Sequence, residues 1–103
     1  MKKKQIYISG MITGLPYDEA YKSFEDAETE IRTGTKKIFD IVNPMKLPHL
    51  HDKTWESYMK EDLKELLSCD AIYMLKDWYK SKGATIEWEI AKQLGMEVIY
   101  QEI

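Results

Sequence analysis

Hydrophobic and polar positions along the chain follow two alternating patterns. Short apolar runs rich in β-branched and aromatic residues recur as QIYIS (residues 5–9), KIFDIVNP (37–44), DAIYML (70–75) and MEVIY (96–100), and each predicts a β-strand. Between these runs, apolar residues recur every three or four positions, which is typical of amphipathic helices. Strands that alternate with helices indicate right-handed crossovers and a parallel sheet that is covered on both faces.

The predicted helices have recognisable ends. The first begins near Tyr17 and stops at Gly34, and the second runs from Thr54, a candidate N-cap, to Ser68. The third lies within SKGATIEWEIAKQLG, residues 81–95. We therefore predict a small doubly wound α/β domain of flavodoxin-like or Rossmann-like type, with four to five strands in the order 2-1-3-4.

In such sheets, ligands bind beyond the carboxyl ends of the strands, near the point where the strand order reverses. Here this edge corresponds to the loops that follow Ser9, Val42 and Leu75. We expect the functional site in these loops.

Composition narrows the class of protein. The 103 residues predict a single domain, 1–103, and the net charge of -3 supplies no basic surface for a nucleic-acid polymer. The single cysteine, Cys69, excludes an internal disulfide and fits a reducing compartment, where we expect it to be a small core residue. The chain has neither a membrane-spanning run nor the apolar core of a signal peptide, so we expect a cytoplasmic protein.

Two carboxylates fall on the apolar sides of their helices. Glu87 lies near the centre of the face formed by Ala84, Ile90, Ala91 and Leu94, whereas Glu89 lies on the opposite side. Asp62 sits inside the apolar stripe of the second helix, which consists of Trp55, Tyr58, Met59, Leu63 and Leu66. Burying a lone carboxylate costs several kcal/mol unless it is paired, hydrogen-bonded or opened to a wet cleft.

Each carboxylate has a structural interpretation and a functional one, and both stay open at this point. Glu87 is expected in the first turn of its helix, where the macrodipole would stabilise it by about 0.3–1 kcal/mol. Asp62 would serve as an acceptor for a tyrosine hydroxyl or a loop amide. Because both helices flank the third strand, a shared polar site is the functional alternative.

Other candidate residues carry weaker signals. The run SGMITG lacks the dinucleotide-binding spacing, but Ser9, Gly10 and Gly14 would let a ligand approach the backbone. Trp78 lies in a loop at the expected cleft, where it would stack on a planar base or cap the core. His49 and His51 lack a third placed ligand, so we predict neither a metal site nor a cofactor.

Three segments together carry a family resemblance that covers nearly the whole chain. They are YISGMITG, then NP, then WESYMKEDLKELLSCDAIYMLKDWYKSKGATIEWEIAKQLG. Their order and spacing resemble a small uncharacterised family of phages and bacteria that is grouped with the nucleoside 2-deoxyribosyltransferases. The resemblance implies a flavodoxin-like sheet and an activity on the N-glycosidic bonds of nucleosides or nucleotides.

The resemblance also implies roles for particular residues. The superfamily's nucleophile lies in a pattern of glycine, three residues, glutamate, three residues and alanine, which Gly83, Glu87 and Ala91 match. Its second acid, an aspartate eight residues before the one that opens the third strand, corresponds to Asp62. The tyrosine of the first strand corresponds to Tyr7.

The chain departs from the transferases at three places. Ser81 replaces an aspartate, and in the nucleotide-hydrolysing branch a serine at this position contacts the 5′-phosphate. Glu89 replaces a glycine, and the chain ends at Ile103 without the asparagine tail that transferases often supply to a neighbouring subunit. These departures weigh against base exchange and favour a nucleotide ligand.

Three functions follow, in order of preference. The first is an enzyme that cleaves or transfers at the N-glycosidic bond of a (deoxy)nucleoside or its 5′-monophosphate, with Glu87 as nucleophile and Asp62 managing the proton of the leaving base. The second is a non-catalytic nucleotide-binding or sensing module, and the third is an interaction domain in which both carboxylates satisfy buried donors. By analogy with the related enzymes, we expect a homo-oligomer.

Overall fold

A four-stranded parallel sheet organises the molecule, whose computed structural model describes residues 4–34, 39–48 and 54–102. The strands are β1 (Gln5–Ser9), β2 (Asp40–Val42), β3 (Ala71–Met74) and β4 (Glu97–Tyr100), and they lie in the order β2-β1-β3-β4. Each neighbouring pair is parallel. The predicted α/β class, the parallel sheet and the strand order are confirmed.

Three α-helices connect the strands. They are α1 (Tyr17–Thr33), α2 (Trp55–Leu67) and α3 (Lys82–Gln93). Thr54 caps α2 by accepting from the backbone N–H of Ser57, and Ser81 caps α3 by accepting from that of Ala84. None of the helices in the described ranges combines the length and the hydropathy that a membrane crossing requires.

Two segments differ from their predictions. Within the predicted second strand (37–44), only Asp40–Val42 pairs in the sheet, and residues 37–38 lie outside the described ranges. The predicted loop that follows contains a one-turn 3-10 helix, Pro44–Lys46, and a second one-turn 3-10 helix, Trp78–Lys80, precedes α3. Two residues favour the start of the first of these: Asn43 caps it by accepting from the N–H of Met45, and Pro44 occupies its first position.

The sheet separates two apolar clusters. On one face, Ile6 and Ile8 of β1 pack against α1, with Phe24 at the centre of the helix's apolar stripe. On the other face, Tyr7 packs against α2 and α3, where Leu66 is fully buried. Since side chains alternate along a strand, β1 supplies both cores from consecutive residues.

Leu94 is not part of the buried face of α3, in contrast to the prediction. The helix ends at Gln93, and Leu94 is its C-cap with 58% of its surface exposed. The chain then reverses at Gly95, whose φ of 72° is the left-handed conformation that glycine tolerates best. The helical spacing therefore fails at this one position because the helix has already stopped.

A polar cluster fastens α1 to the 3-10 helix Pro44–Lys46. The buried carboxylate of Glu28 accepts from Nδ2 of Asn43 at 3.1 Å and pairs with Nζ of Lys46 at 3.3 Å. Burial would raise the pKa of Glu28, but the hydrogen bonds from Asn43 and Lys46 outweigh it and lower the pKa. The cluster therefore holds a short element that is too small to be stable alone.

Substitution of Gly10 tests the close approach of β1 and β3 at the edge of the sheet. A Cβ at position 10 would lie 2.5 Å from Cδ1 and 2.8 Å from Cβ of Leu75, so Gly10→Ala must displace one of the chain segments. We expect a loss of about 1–3 kcal/mol in the free energy of unfolding, measured by urea titration. Gly83→Ala is the control, because the nearest neighbour of its Cβ would be Sδ of the flexible Met59 side chain at 3.0 Å and because alanine is compatible with the first turn of a helix. Equal losses in the two variants would contradict the steric explanation.

Candidate active site

A cavity of about 600 Å³ opens beyond the carboxyl end of β1, a volume within the range of small-molecule sites. Its walls come from the loop after β1, from the 3-10 helix after β2 and from the N-terminal halves of α2 and α3. Glu87 and Asp62 both line it. The cavity therefore lies at the edge of the sheet where the strand order predicts a ligand.

Glu87 reaches the cavity from the buried stripe of α3. Ala84 and Ala91 lie on the same stripe, and their small side chains leave room for the helix to approach the sheet. Only 5% of Glu87 is exposed, as the helical spacing predicted. Because α3 begins at Lys82, Glu87 lies in the second turn and not in the expected first, so the helix macrodipole is not what stabilises it.

Two hydroxyls of β1 bind the Glu87 carboxylate. The Tyr7 hydroxyl donates to Oε2, and the Ser9 hydroxyl donates to Oε1, each at 2.7 Å. Both donors are almost completely buried. Tyr7 and Ser9 point to the same side because residues two apart share one face of a strand.

Asp62 faces the cavity with one oxygen unsatisfied. The residue is 8% exposed, and its Oδ1 atom has no hydrogen-bond partner among the described residues. A buried carboxylate oxygen without a donor costs about 1–3 kcal/mol, and more when the group is charged. Asp62 thus lines the cavity and retains an acceptor oxygen that no described group satisfies.

The surroundings raise the pKa values of both carboxyl groups. Burial raises the pKa of Asp62 to about 7, and the nearby carboxylates of Glu61 and Glu65 add to the rise. Burial also raises the pKa of Glu87 to about 7, although the hydrogen bonds from Ser9 and Tyr7 act in the opposite direction. The charge of Asp62 raises the pKa of Glu87 further, so near neutrality the pair favours one proton over none.

Of five other predicted site residues, three line the cavity and two do not. Gly10, Ser81 and Gly83 line the cavity. Gly14 does not, because it forms the exposed turn beyond Thr13, with a φ of 95°. Trp78 does not either, which corrects its predicted position at the cleft.

Trp78 packs against aromatic side chains of α3 and β4. Its ring centroid lies 4.9 Å from that of Trp88 and 6.3 Å from that of Tyr100. Trp88 in turn donates from Nε1 to the Tyr100 hydroxyl at 2.9 Å. The tryptophan therefore belongs to an aromatic cluster at the edge of the sheet, as the core-capping alternative proposed.

Aromatic and apolar side chains at the cavity were missed as site residues. Trp55, Tyr58 and Met59 line it, although their spacing assigned them to the core-facing stripe of α2. Tyr17 also lines it and is 67% exposed at the start of α1. One signal in the sequence could have identified the residues of α2: they lie on the same apolar stripe as Asp62, toward the N-terminal end of the helix.

No described residues form a metal-binding group of three histidine, cysteine, aspartate or glutamate side chains. His49 and His51 lie outside the described ranges. Cys69 is buried in the core of the α3 face, and burial raises the pKa of its thiol to about 11. A thiol that stays protonated is a poor nucleophile.

Comparison with known proteins identifies a family. Residues 4–100 match a domain of unknown function, DUF4406. No curated protein sequence and no solved structure matches the chain significantly. The match covers β1 through β4, including the two carboxylates and the hydroxyls that bind one of them. The chain therefore belongs to the DUF4406 family.

Proposed function

We propose that this protein cleaves or transfers at the N-glycosidic bond of a (deoxy)nucleoside or its 5′-monophosphate. The observation that carries the proposal is the placement of a hydroxyl-bound Glu87 and a partly unsatisfied Asp62 in one cavity. The resemblance to nucleoside 2-deoxyribosyltransferases supports it independently, because it assigns the nucleophile and the second acid to the same two residues.

In the first step, an ionised oxygen of Glu87 forms a bond to the anomeric carbon while the bond from that carbon to the base nitrogen breaks. The bonding electron pair leaves with the base, and Asp62 in its neutral form supplies the proton that the departing nitrogen requires. The product is a glycosyl ester of Glu87, as in retaining glycosidases.

In the second step, water attacks the anomeric carbon and Asp62, now ionised, accepts its proton. The ester bond breaks, and Glu87 leaves as a carboxylate whose charge the Tyr7 and Ser9 hydroxyls stabilise. A second base in place of water would give transfer instead of hydrolysis. The same two residues thus serve both outcomes.

The remaining walls of the cavity suit a nucleoside. Trp55, Tyr58 and Met59 offer apolar and aromatic surface for a planar base. Ser81 lies at the start of α3, where the first free amides of the helix would attract a phosphate. The ammonium of Lys82 lies 4.6 Å from the centre of the Trp55 ring, which places a positive charge beside the same wall.

The reaction requires neither a cofactor nor a metal ion, because both steps use only carboxyl groups and water. We further expect a homo-oligomer, since the transferases that the chain resembles often complete their sites with a neighbouring subunit. The partner in the reaction is a small molecule and not a nucleic-acid polymer.

Replacement of the two carboxylates tests the proposal directly. We expect Glu87→Gln to reduce release of free base to background and Asp62→Asn to reduce it by about 10²–10⁴-fold, as for the loss of a general acid. Chromatography would measure base release from a panel of deoxynucleosides and their 5′-monophosphates, with and without a second base. Glu89→Gln, on the exposed side of the same helix, is the control and should keep full activity.

Three results would count against the proposal. Undiminished activity in Glu87→Gln would remove Glu87 as the nucleophile. A wild-type protein whose melting temperature rises with a nucleotide, but which releases no base over hours, would be a binding module. The absence of both effects across the panel would favour an interaction domain.

The two pKa values predict a bell-shaped pH profile. Activity should rise as Glu87 loses its proton and fall as Asp62 loses its own, with a maximum near pH 7 because both values are about 7. Initial rates of base release between pH 5 and pH 9, at substrate concentrations well below KM, would measure it. In Asp62→Asn the decline on the alkaline side should disappear, and its persistence would assign that limb to another group.

Asp62→Asn should also stabilise the protein at alkaline pH. Since folding raises the pKa of Asp62, the ionised form destabilises the folded state, and stability is lost as pH rises from about 4 to about 7. We expect a gain of about 1–3 kcal/mol at pH 8 that is smaller at pH 5, where Asp62 of the folded protein is protonated, and that vanishes only below about pH 4. Urea titrations of Asp62→Asn and the Glu89→Gln control at both pH values would measure it. A loss of stability at pH 8 would instead identify Asp62 as a structural acceptor.

A further inference from the structure

Ser9 is buried behind the wall of the cavity. It was predicted to contact the ligand, yet only 1% of it is exposed and it does not line the cavity. Its hydroxyl instead lies 2.7 Å from Oε1 of Glu87, on the same side of β1 as Tyr7. The Ser9 hydroxyl therefore contacts Glu87, the proposed nucleophile.

We propose that Ser9 is a positioning residue, whose hydroxyl fixes the orientation of the Glu87 carboxylate and stabilises its anionic form during the reaction. The inference rests on the proposed function and deepens it. It assigns different tasks to the two oxygens of one carboxylate.

The geometry supports a fixed orientation. The terminal torsion of a glutamate side chain is broad, so a single hydrogen bond leaves the carboxylate free to rotate about that contact. Here two donors from one strand bind the two oxygens separately, Tyr7 to Oε2 and Ser9 to Oε1. A rotation that keeps one bond must break the other.

The cavity distinguishes the two oxygens. Tyr7, the donor to Oε2, lines the cavity, whereas Ser9, the donor to Oε1, does not, and on this basis we assign the cavity side to Oε2. Oε2 then forms the bond to the anomeric carbon, and Oε1 becomes the carbonyl oxygen of the ester. Ser9 continues to donate to Oε1 throughout, and it holds the charge again when the second step regenerates the carboxylate.

The hydrogen bond from Ser9 has a measurable effect on the pKa of Glu87. The titratable groups that share the cavity with Glu87 are Tyr7 on β1, Asp62 and Tyr58 on α2, and Tyr17 on α1. Burial and the Asp62 charge raise the pKa of Glu87, and the hydrogen bond from Ser9 is the larger of the two influences that lower it. Loss of the Ser9 hydroxyl should therefore raise this pKa.

The test compares Ser9→Ala with Ser9→Thr, which keeps a hydroxyl, and with Ser23→Ala, a serine of α1 that does not line the cavity. Carbon-13 NMR of the glutamate carboxyl groups, with the Glu87 signal assigned from Glu87→Gln, would follow its titration. We expect the midpoint to rise by about one pH unit in Ser9→Ala, the effect of one hydrogen bond. Ser9→Thr should restore most of the shift, and Ser23→Ala should cause none.

Kinetics supply the second readout. The acid limb of the pH profile should move upward with the midpoint in Ser9→Ala, and kcat should fall about tenfold at pH 6 with KM unchanged. An unmoved midpoint in folded Ser9→Ala overturns the inference, and so does a rise in KM alone, which would mean that Ser9 binds substrate. If the wild type releases no base, the proposed function fails and the reaction role of Ser9 with it, while the titration still shows whether Ser9 stabilises the carboxylate.

Discussion

Two hydrogen bonds from hydroxyls of β1 hold the buried Glu87 carboxylate at the wall of the cavity, and the arrangement of the site depends on them. The hydrogen bonds from Tyr7 and Ser9 offset part of the cost of burying Glu87. Ala84 and Ala91 lie on the same buried stripe of α3, and their small side chains favour a close approach of this helix to the sheet. Three features therefore act together: the two hydroxyls on one face of β1, the position of Glu87 on the buried stripe of α3, and the small residues beside it. Loss of either hydroxyl would leave one carboxylate oxygen without its donor.

Asp62 differs from Glu87 in how far its oxygens are hydrogen-bonded. Glu87 has a donor for each oxygen, whereas Asp62 keeps one oxygen unsatisfied at the cavity wall. A fold selected for stability alone would fill this position with an apolar side chain, since the stripe of α2 on which Asp62 lies is otherwise apolar. Two acids that differ in this way, one fully bound and one left available, form the kind of pair in which roles as nucleophile and acid can be separated.

Local periodicity determined most of what the sequence could predict. It identified the inward direction of Glu87 and Asp62, which depends on spacing within one helix. The sheet order followed from a different pattern, the alternation of strands with helices along the chain. Periodicity missed the Ser9 contact and the burial of Glu28, whose partners lie on other elements, 78 and 15 residues away. Trp78 was misplaced because the direction of a one-turn 3-10 helix has no periodic signature.

The 3-10 helix Pro44–Lys46 forms one wall of the cavity, but its position is set from behind, by Glu28 of α1. One turn of helix cannot hold its own shape, so a displacement of α1 by a fraction of an ångström would carry this wall with it. The outer surface of α1 is therefore mechanically connected to the volume of the cavity. Substitutions on that surface, far from either acid, would change the shape of the cavity without altering the two carboxylates.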